Sequence, residues 1–88
     1  MSYADQADPE FSGTFSAALA ELTSTSRIDQ IYRDGWNGKN MSVSIQYPDK
    51  NSKMTLPYLY METVQGDLVP WLASQTDLLA NDWRLRAR

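Results

Sequence analysis

The sequence predicts an α+β domain: an N-terminal helix packed on an antiparallel meander of about five strands, with a short helix before the last strand. Three observations carry this. After Thr14, the apolar residues Phe15, Ala18, Leu19 and Leu22 recur at the spacing of one helix face. Met41, Val43, Ile45 and Tyr47 alternate with Ser42, Ser44 and Gln46, which is the pattern of a strand with one apolar face. Ser74 is followed three residues on by Asp77, a capping box that opens a helix over Gln75 to Ala80 between two strand-like stretches.

The elements follow in order. Met1 to Gly13 is polar, acidic and aperiodic, and reads as a mobile arm; residues 14–88 read as one domain. Thr14 reads as an N-cap, and the Thr-Ser-Thr-Ser run at 23–26 ends the helix because hydroxyl side chains compete for its backbone. The stretch Ile28 to Trp36 contains a short strand from about Gln30. Asn37-Gly38 then closes a hairpin, since both residues tolerate positive φ. Pro48 to Lys53 is a loop with two lysines. Met54 to Val64 is apolar on both faces, with Leu56, Tyr58 and Tyr60 on one and Leu59 and Met61 on the other. One helix covers one face only, so the other is expected to bury against a second copy. Pro57 marks an edge or an irregularity in that strand. Gln65-Gly66-Asp67 turns the chain into Leu68 to Leu72, and Trp83 to Arg86 alternates as the closing strand.

Composition narrows the function. A chain of 88 residues without cysteine has no disulfide or thiolate–metal staple and buries a modest core, so self-association is the expected remedy. The absence of both cysteine and histidine excludes zinc-finger spacing, Ser-His-Asp and Cys-His catalysis and imidazole ligation. Eight basic residues against eleven acidic ones give a net charge of −3, which disfavours nucleic acid as a partner. No apolar run approaches the ~20 residues that span a bilayer, so no membrane partner is expected.

The mixture at 68–83 is the chemically dense part of the chain. A strand running into a short helix directs unpaired amides at one place, where anions are favoured. Flat aromatic faces stand beside it. Trp36 with Asn37, Trp71 with Ser74 and Gln75, and Asp77 or Asp82 near Trp83 could converge there. Arg33, Lys39, Lys50 and Lys53 offer positive charge. Asp77 and Asp82 could form a carboxylate pair, but nothing marks a nucleophile activated by a base, so the reading is a binding site and not an enzyme. The plain alternative is that the tryptophans are core and Ser74 is a cap.

The segments RDGWNGK (33–39), NSKMTLPYLYM (51–61) and VPWLASQTDLLANDW (69–83) closely resemble the Thoeris anti-defence two family of small phage proteins. The resemblance covers about residues 14 to 85. It implies a homotetramer acting in the host cytoplasm as a sponge, with ligand pockets between subunits and no cofactor. The captured ligands would be the cyclic ADP-ribose isomers made by TIR-domain proteins, so that the defence effector is never activated. Some members bind cyclic dinucleotides in a separate pocket. Trp36 and Trp71 match the positions that would stack on the ligand, and Asn37, Ser74, Gln75 and Asp82 are the polar contacts the resemblance suggests. The chain departs from the family pattern in its N-terminal arm, in the Thr-Ser-Thr-Ser run and in its Arg-rich tail. The competing reading is a phage protein–protein interaction module with no small-molecule ligand.

Overall fold

The computed structural model describes residues 11–24, 27–36 and 40–88. Helix α1 (Phe15–Ser24) is followed by β1 (Ile28–Arg33), a single 3-10 turn (Asp34–Trp36), β2 (Ser42–Gln46), β3 (Tyr58–Glu62), β4 (Leu68–Pro70), α2 (Gln75–Leu79) and β5 (Trp83–Ala87). The strands form one antiparallel sheet in the order β4-β3-β2-β1-β5. Strands β1 to β4 run as a meander. The last strand returns beside β1, so α2 and its flanking loops carry the chain from one edge of the sheet to the other.

Local chemistry explains the boundaries. The Thr14 hydroxyl accepts from the Ala17 amide at 3.2 Å and caps α1. At the other end the hydroxyls of Thr23 and Ser24 bond back to the carbonyls of Leu19 and Ala20, as hydroxyl residues do where a helix stops. Strand β1 begins at Ile28, two residues earlier than the pattern suggests, and stops at Arg33, where the 3-10 turn takes over. The expected Asn37-Gly38 hairpin and Lys39 lie outside the described residues, as does most of the expected N-terminal arm. Strand β3 is shorter than the apolar run that predicts it: Pro57 lies immediately before it, and Leu56 is exposed. The edge strand β4 ends in Pro70, where a missing N–H costs the ladder least. The turn between β3 and β4 is closed by Thr63 N–H donating to Asp67 at 2.8 Å, with Gly66 at φ 89°.

Directly paired residues share a face of the sheet. The row Val69–Met61–Val43–Ile31–Leu85 therefore crosses all five strands on one side. Trp83, Ile45 and Leu59 lie on that side too, and α1 covers it with Ala18 and Leu22. Ile31, Val43 and Trp83 are wholly excluded from water. Fully burying an aliphatic side chain of this size contributes about 1.5–3 kcal/mol, so these few residues supply much of what holds so small a domain together. Packing reaches back through Gly13, buried at φ 79°, whose carbonyl accepts from the Trp83 amide at 2.9 Å, to Phe11 against the core.

The opposite face carries Tyr32, Ser42, Ser44, Gln46, Tyr58, Tyr60, Glu62, Leu68 and Pro70, with Arg84 and Arg86 on β5. Neither helix lies over it. Ser42 and Ser44 are buried among larger neighbours, whereas Tyr58 and Tyr60 are half-exposed and Leu68 is open.

Candidate functional site

Trp83 is the hub of the site. Strand alternation points it inward with Leu85, and Phe15 of α1 meets it with ring centroids 5.3 Å apart. Trp36, at the end of the 3-10 turn, stands edge-on to it at 5.5 Å and 76°. Trp71, just beyond β4, does the same at 5.9 Å and 81° and also touches Phe15 at 5.7 Å. Edge-to-face contacts suit the aromatic quadrupole. The two tryptophans expected to stack on a ligand are thus gathered around a third, and each keeps part of its surface in solvent. The backbone ladder of β3 extends to Trp71, whose amide donates to Leu59 at 3.2 Å, which fixes where that ring leaves the sheet.

The polar candidates are placed by α2. Ser74 and Asp77 form the expected capping box: the Ser74 hydroxyl accepts from the Asp77 amide at 3.1 Å, and the Asp77 carboxylate accepts from the Ser74 amide at 3.4 Å. Aspartate closes this box in the place usually held by Glu or Gln. The same contacts weaken the idea of an open anion cradle, because an amide of the first turn is taken and a carboxylate already sits there. Gln75, the first residue of α2, is exposed. With Arg33, Thr76, Leu79 and Ala80 it lines a shallow depression of about 470 Å³. Trp71 lines another of about 540 Å³, with Met54, Pro57, Tyr58, Leu59 and Pro70. Asn37 lies outside the described residues.

Asp77 and Asp82 are not a bare carboxylate pair. Arg33, at the end of β1, donates from Nε to Asp82 Oδ1 at 2.8 Å and from its terminal nitrogens to Asp77 Oδ1 at 2.9 Å and Asp82 Oδ2 at 3.4 Å. Asp82 Oδ2 also accepts the Gly35 amide at 2.7 Å. Both oxygens of Asp82 are therefore engaged within the fold. The Arg33 hydrogen bond foremost, and then the Gly35 amide, hold the Asp82 carboxyl below its ordinary value against the opposing effect of burial. Hydrogen bonds from Asp82 and then Asp77 hold Arg33 still more firmly protonated.

Arg33 is visible in the sequence only as one positive charge among several. Its pairing with two aspartates lying 44 and 49 residues away has no local signal. Phe15 is likewise legible as a helix-face residue but not as part of the aromatic cluster. Among the described residues no group of three or more His, Cys, Asp or Glu side chains could hold a metal ion, and no helix is long and apolar enough to cross a membrane.

Comparison with known proteins places the fold in context. The Thoeris anti-defense 2-like domain matches residues 13–86, nearly the whole chain. A protein of Bacillus phage SP01 named Thoeris anti-defense 2 is 33% identical over an alignment that covers 61% of this chain and 75% of the phage protein.

Proposed function

The chain belongs to the Thoeris anti-defense 2-like family, and from that premise we propose that it binds and sequesters a cyclic ADP-ribose isomer without cleaving it. The observation that carries this is the aromatic cluster. Trp36 and Trp71 are held by the buried Trp83 at part-exposed positions, and the hydroxyl of Ser74 and the amide of Gln75 follow Trp71 closely along the chain. Rigid, part-exposed rings next to a few polar groups suit a nucleotide, which gains affinity from stacking and specificity from hydrogen bonds. Capture in the host cytoplasm would keep the signal from its effector. Cyclic dinucleotides are a second ligand class for the same protein.

The assembly is part of the proposal. The depressions beside Gln75 and Trp71 are shallow and open within one chain, so a second copy would be needed to enclose a ligand. The uncovered face of the sheet, with Tyr58, Tyr60, Leu68 and Pro70 around a cleft of about 180 Å³, offers a docking surface for that copy. The protein is expected to run as a dimer or tetramer, and Tyr58→Asp should dissociate it while leaving a folded chain. A monomeric parent in light scattering would overturn the assembly.

The test of sequestration is recovery. The protein is incubated with a cyclic ADP-ribose isomer, denatured by heat, and the supernatant separated on a column. Return of the intact isomer, bound beforehand in stoichiometric amount, is the expected result. Conversion to a linear product beyond stoichiometry would make the protein an enzyme. The same uncovered face also favours a protein-interaction module; absence of any co-purifying or titratable nucleotide in mass spectrometry and calorimetry would leave that reading standing.

A further inference from the structure

The geometry points to Arg33 as a positioning residue: with Gly35, Asp77 and Asp82 it forms a latch that fixes the turn carrying Trp36 against α2. As a statement about ligand affinity this rests on the sequestration reading above; as a statement about the turn it stands alone.

The latch ties three separate pieces of chain at one guanidinium. The 3-10 turn hangs from Asp82, whose carbonyl accepts the Asp34 amide at 3.0 Å and whose carboxylate accepts the Gly35 amide at 2.7 Å. Asp82 in turn is gripped by Arg33 through two nitrogens. A further guanidinium nitrogen reaches Asp77, which is already committed to the capping box of α2 and whose carbonyl accepts the Trp83 indole N–H at 2.9 Å. Planar, multiply donating arginine is the side chain that can hold two carboxylates in one fixed geometry; lysine has one ammonium point charge and cannot.

Two features separate positioning from ligand contact. Arg33 faces two carboxylates, so the three groups together carry a net negative charge and offer no attraction to a phosphate. The Arg33 and Asp77 side chains are each only 16% exposed, so although Arg33 borders the depression beside Gln75, most of its surface is spent within the fold. Gly35 shows how tightly the latch closes. A Cβ built there would lie 2.7 Å from Asp82 Oδ2 and 3.1 Å from a terminal nitrogen of Arg33, so alanine would make the ends of these two side chains shift. Gly35→Ala thus displaces the Asp82 carboxylate and the Arg33 guanidinium without altering any charge.

The experiment uses the full chain labelled with 5-fluorotryptophan. The three tryptophans give three ¹⁹F signals, with that of Trp36 assigned by its loss in Trp36→Phe and that of Trp71 by its loss in Trp71→Phe. Gly35→Ala and Arg33→Lys are expected to shift or broaden the Trp36 signal, and to change the Trp71 signal less because it meets the latch only through Trp83. Both variants should also bind a cyclic ADP-ribose isomer more weakly in calorimetry. The loss should stay within the roughly 5- to 150-fold expected for deleting a stacking ring altogether. If Gly35→Ala does not fold, Arg33→Lys and Asp82→Asn carry the same readout. An unmoved Trp36 signal in the folded variants overturns the latch. A moved signal with parental affinity overturns its role in binding. If the parent itself shows no binding to any isomer, the sequestration reading falls, and the Trp36 signal still decides the latch.

Discussion

Replacing Trp83 with phenylalanine separates a hub from an ordinary core residue. The indole is wholly buried, donates to the Asp77 carbonyl at 2.9 Å and meets Phe15, Trp36 and Trp71 with centroids between 5.3 and 5.9 Å. Phenylalanine keeps the hydrophobic character and loses the rest. The lost hydrogen bond, to a part-buried carbonyl that water can partly reach, costs about 0.5–1.5 kcal/mol. A residual cavity of roughly 40 Å³, at about 24 cal/mol per Å³, adds about 1 kcal/mol. Weakened ring contacts add about 0.5–1 kcal/mol. The sum is about 2–3.5 kcal/mol, a large share of the stability of so small a domain. At about 4–8 °C per kcal/mol, the melting temperature should fall by roughly 8–28 °C. Urea unfolding followed by circular dichroism, at one fixed protein concentration because assembly would shift the midpoint, measures this. The midpoint should drop with an unchanged slope. A loss below about 1 kcal/mol with the slope intact would mean that the aromatic cluster stands without Trp83, against the reasoning above.

Three other outcomes are expected. Trp36→Ala and Trp71→Ala should each weaken binding of a cyclic ADP-ribose isomer about 5- to 150-fold by calorimetry; parental affinity in both folded variants would place the stacking site elsewhere. Asp82 has a folded pKa below its unfolded value, so its contribution to stability is fully present above the ordinary carboxylate range and is lost as pH falls through that range toward the folded pKa. Asp82→Asn should therefore flatten the acid limb of stability against pH below about pH 4, and an unchanged limb would show that the Arg33 pairing contributes nothing. Ser74→Ala removes the α2 cap and should cost about 0.5–2 kcal/mol, seen as a lower urea midpoint, whereas Ser74→Asp should restore most of it; equal midpoints for all three would refute the cap.

What the sequence reveals depends on how local the deciding force is. Helix α1, strand β2 and the Ser74–Asp77 cap are legible because their hydrophobic period or capping chemistry is complete within a few residues. The end of β1 is not, because the turn at Asp34–Trp36 is held by Asp82 across the fold. Nor is the place of β5: its alternation shows that Trp83 and Leu85 point inward, but which strand it joins is decided by the open side of β1. The two-sided apolar character of β3 is correctly legible, with Leu59 and Met61 toward the core and Tyr58 and Tyr60 away from it. For the site, composition and pattern identify the aromatic residues but cannot rank them. Trp83 becomes core and Trp36 and Trp71 its part-exposed neighbours only once the sheet brings together positions separated by up to 47 residues. The carboxylates show the same limit. Asp77 and Asp82 look like a pair along the chain, and Arg33, distant in sequence, is what defines them.

The arrangement also couples the site to the core. Trp36 and Trp71 both lean on Trp83, and Trp83 is fastened to α2 through the Asp77 carbonyl, whose carboxylate holds Arg33 and through it Asp82. A ligand stacked on either tryptophan would therefore press on a group that is wholly buried, and ordering of one ring would be felt by the other through a shared neighbour. Residues that share a partner in this way do not contribute independently. Truncating Trp36 loosens the packing that orients Trp71, so the second truncation removes less than the first. The same sharing explains why a small chain can afford rigid aromatic faces at its surface without a staple. Each exposed ring is half of a contact whose other half is core, so its orientation is fixed by packing that the fold requires anyway. Little further conformational entropy remains to be lost when a flat ligand arrives.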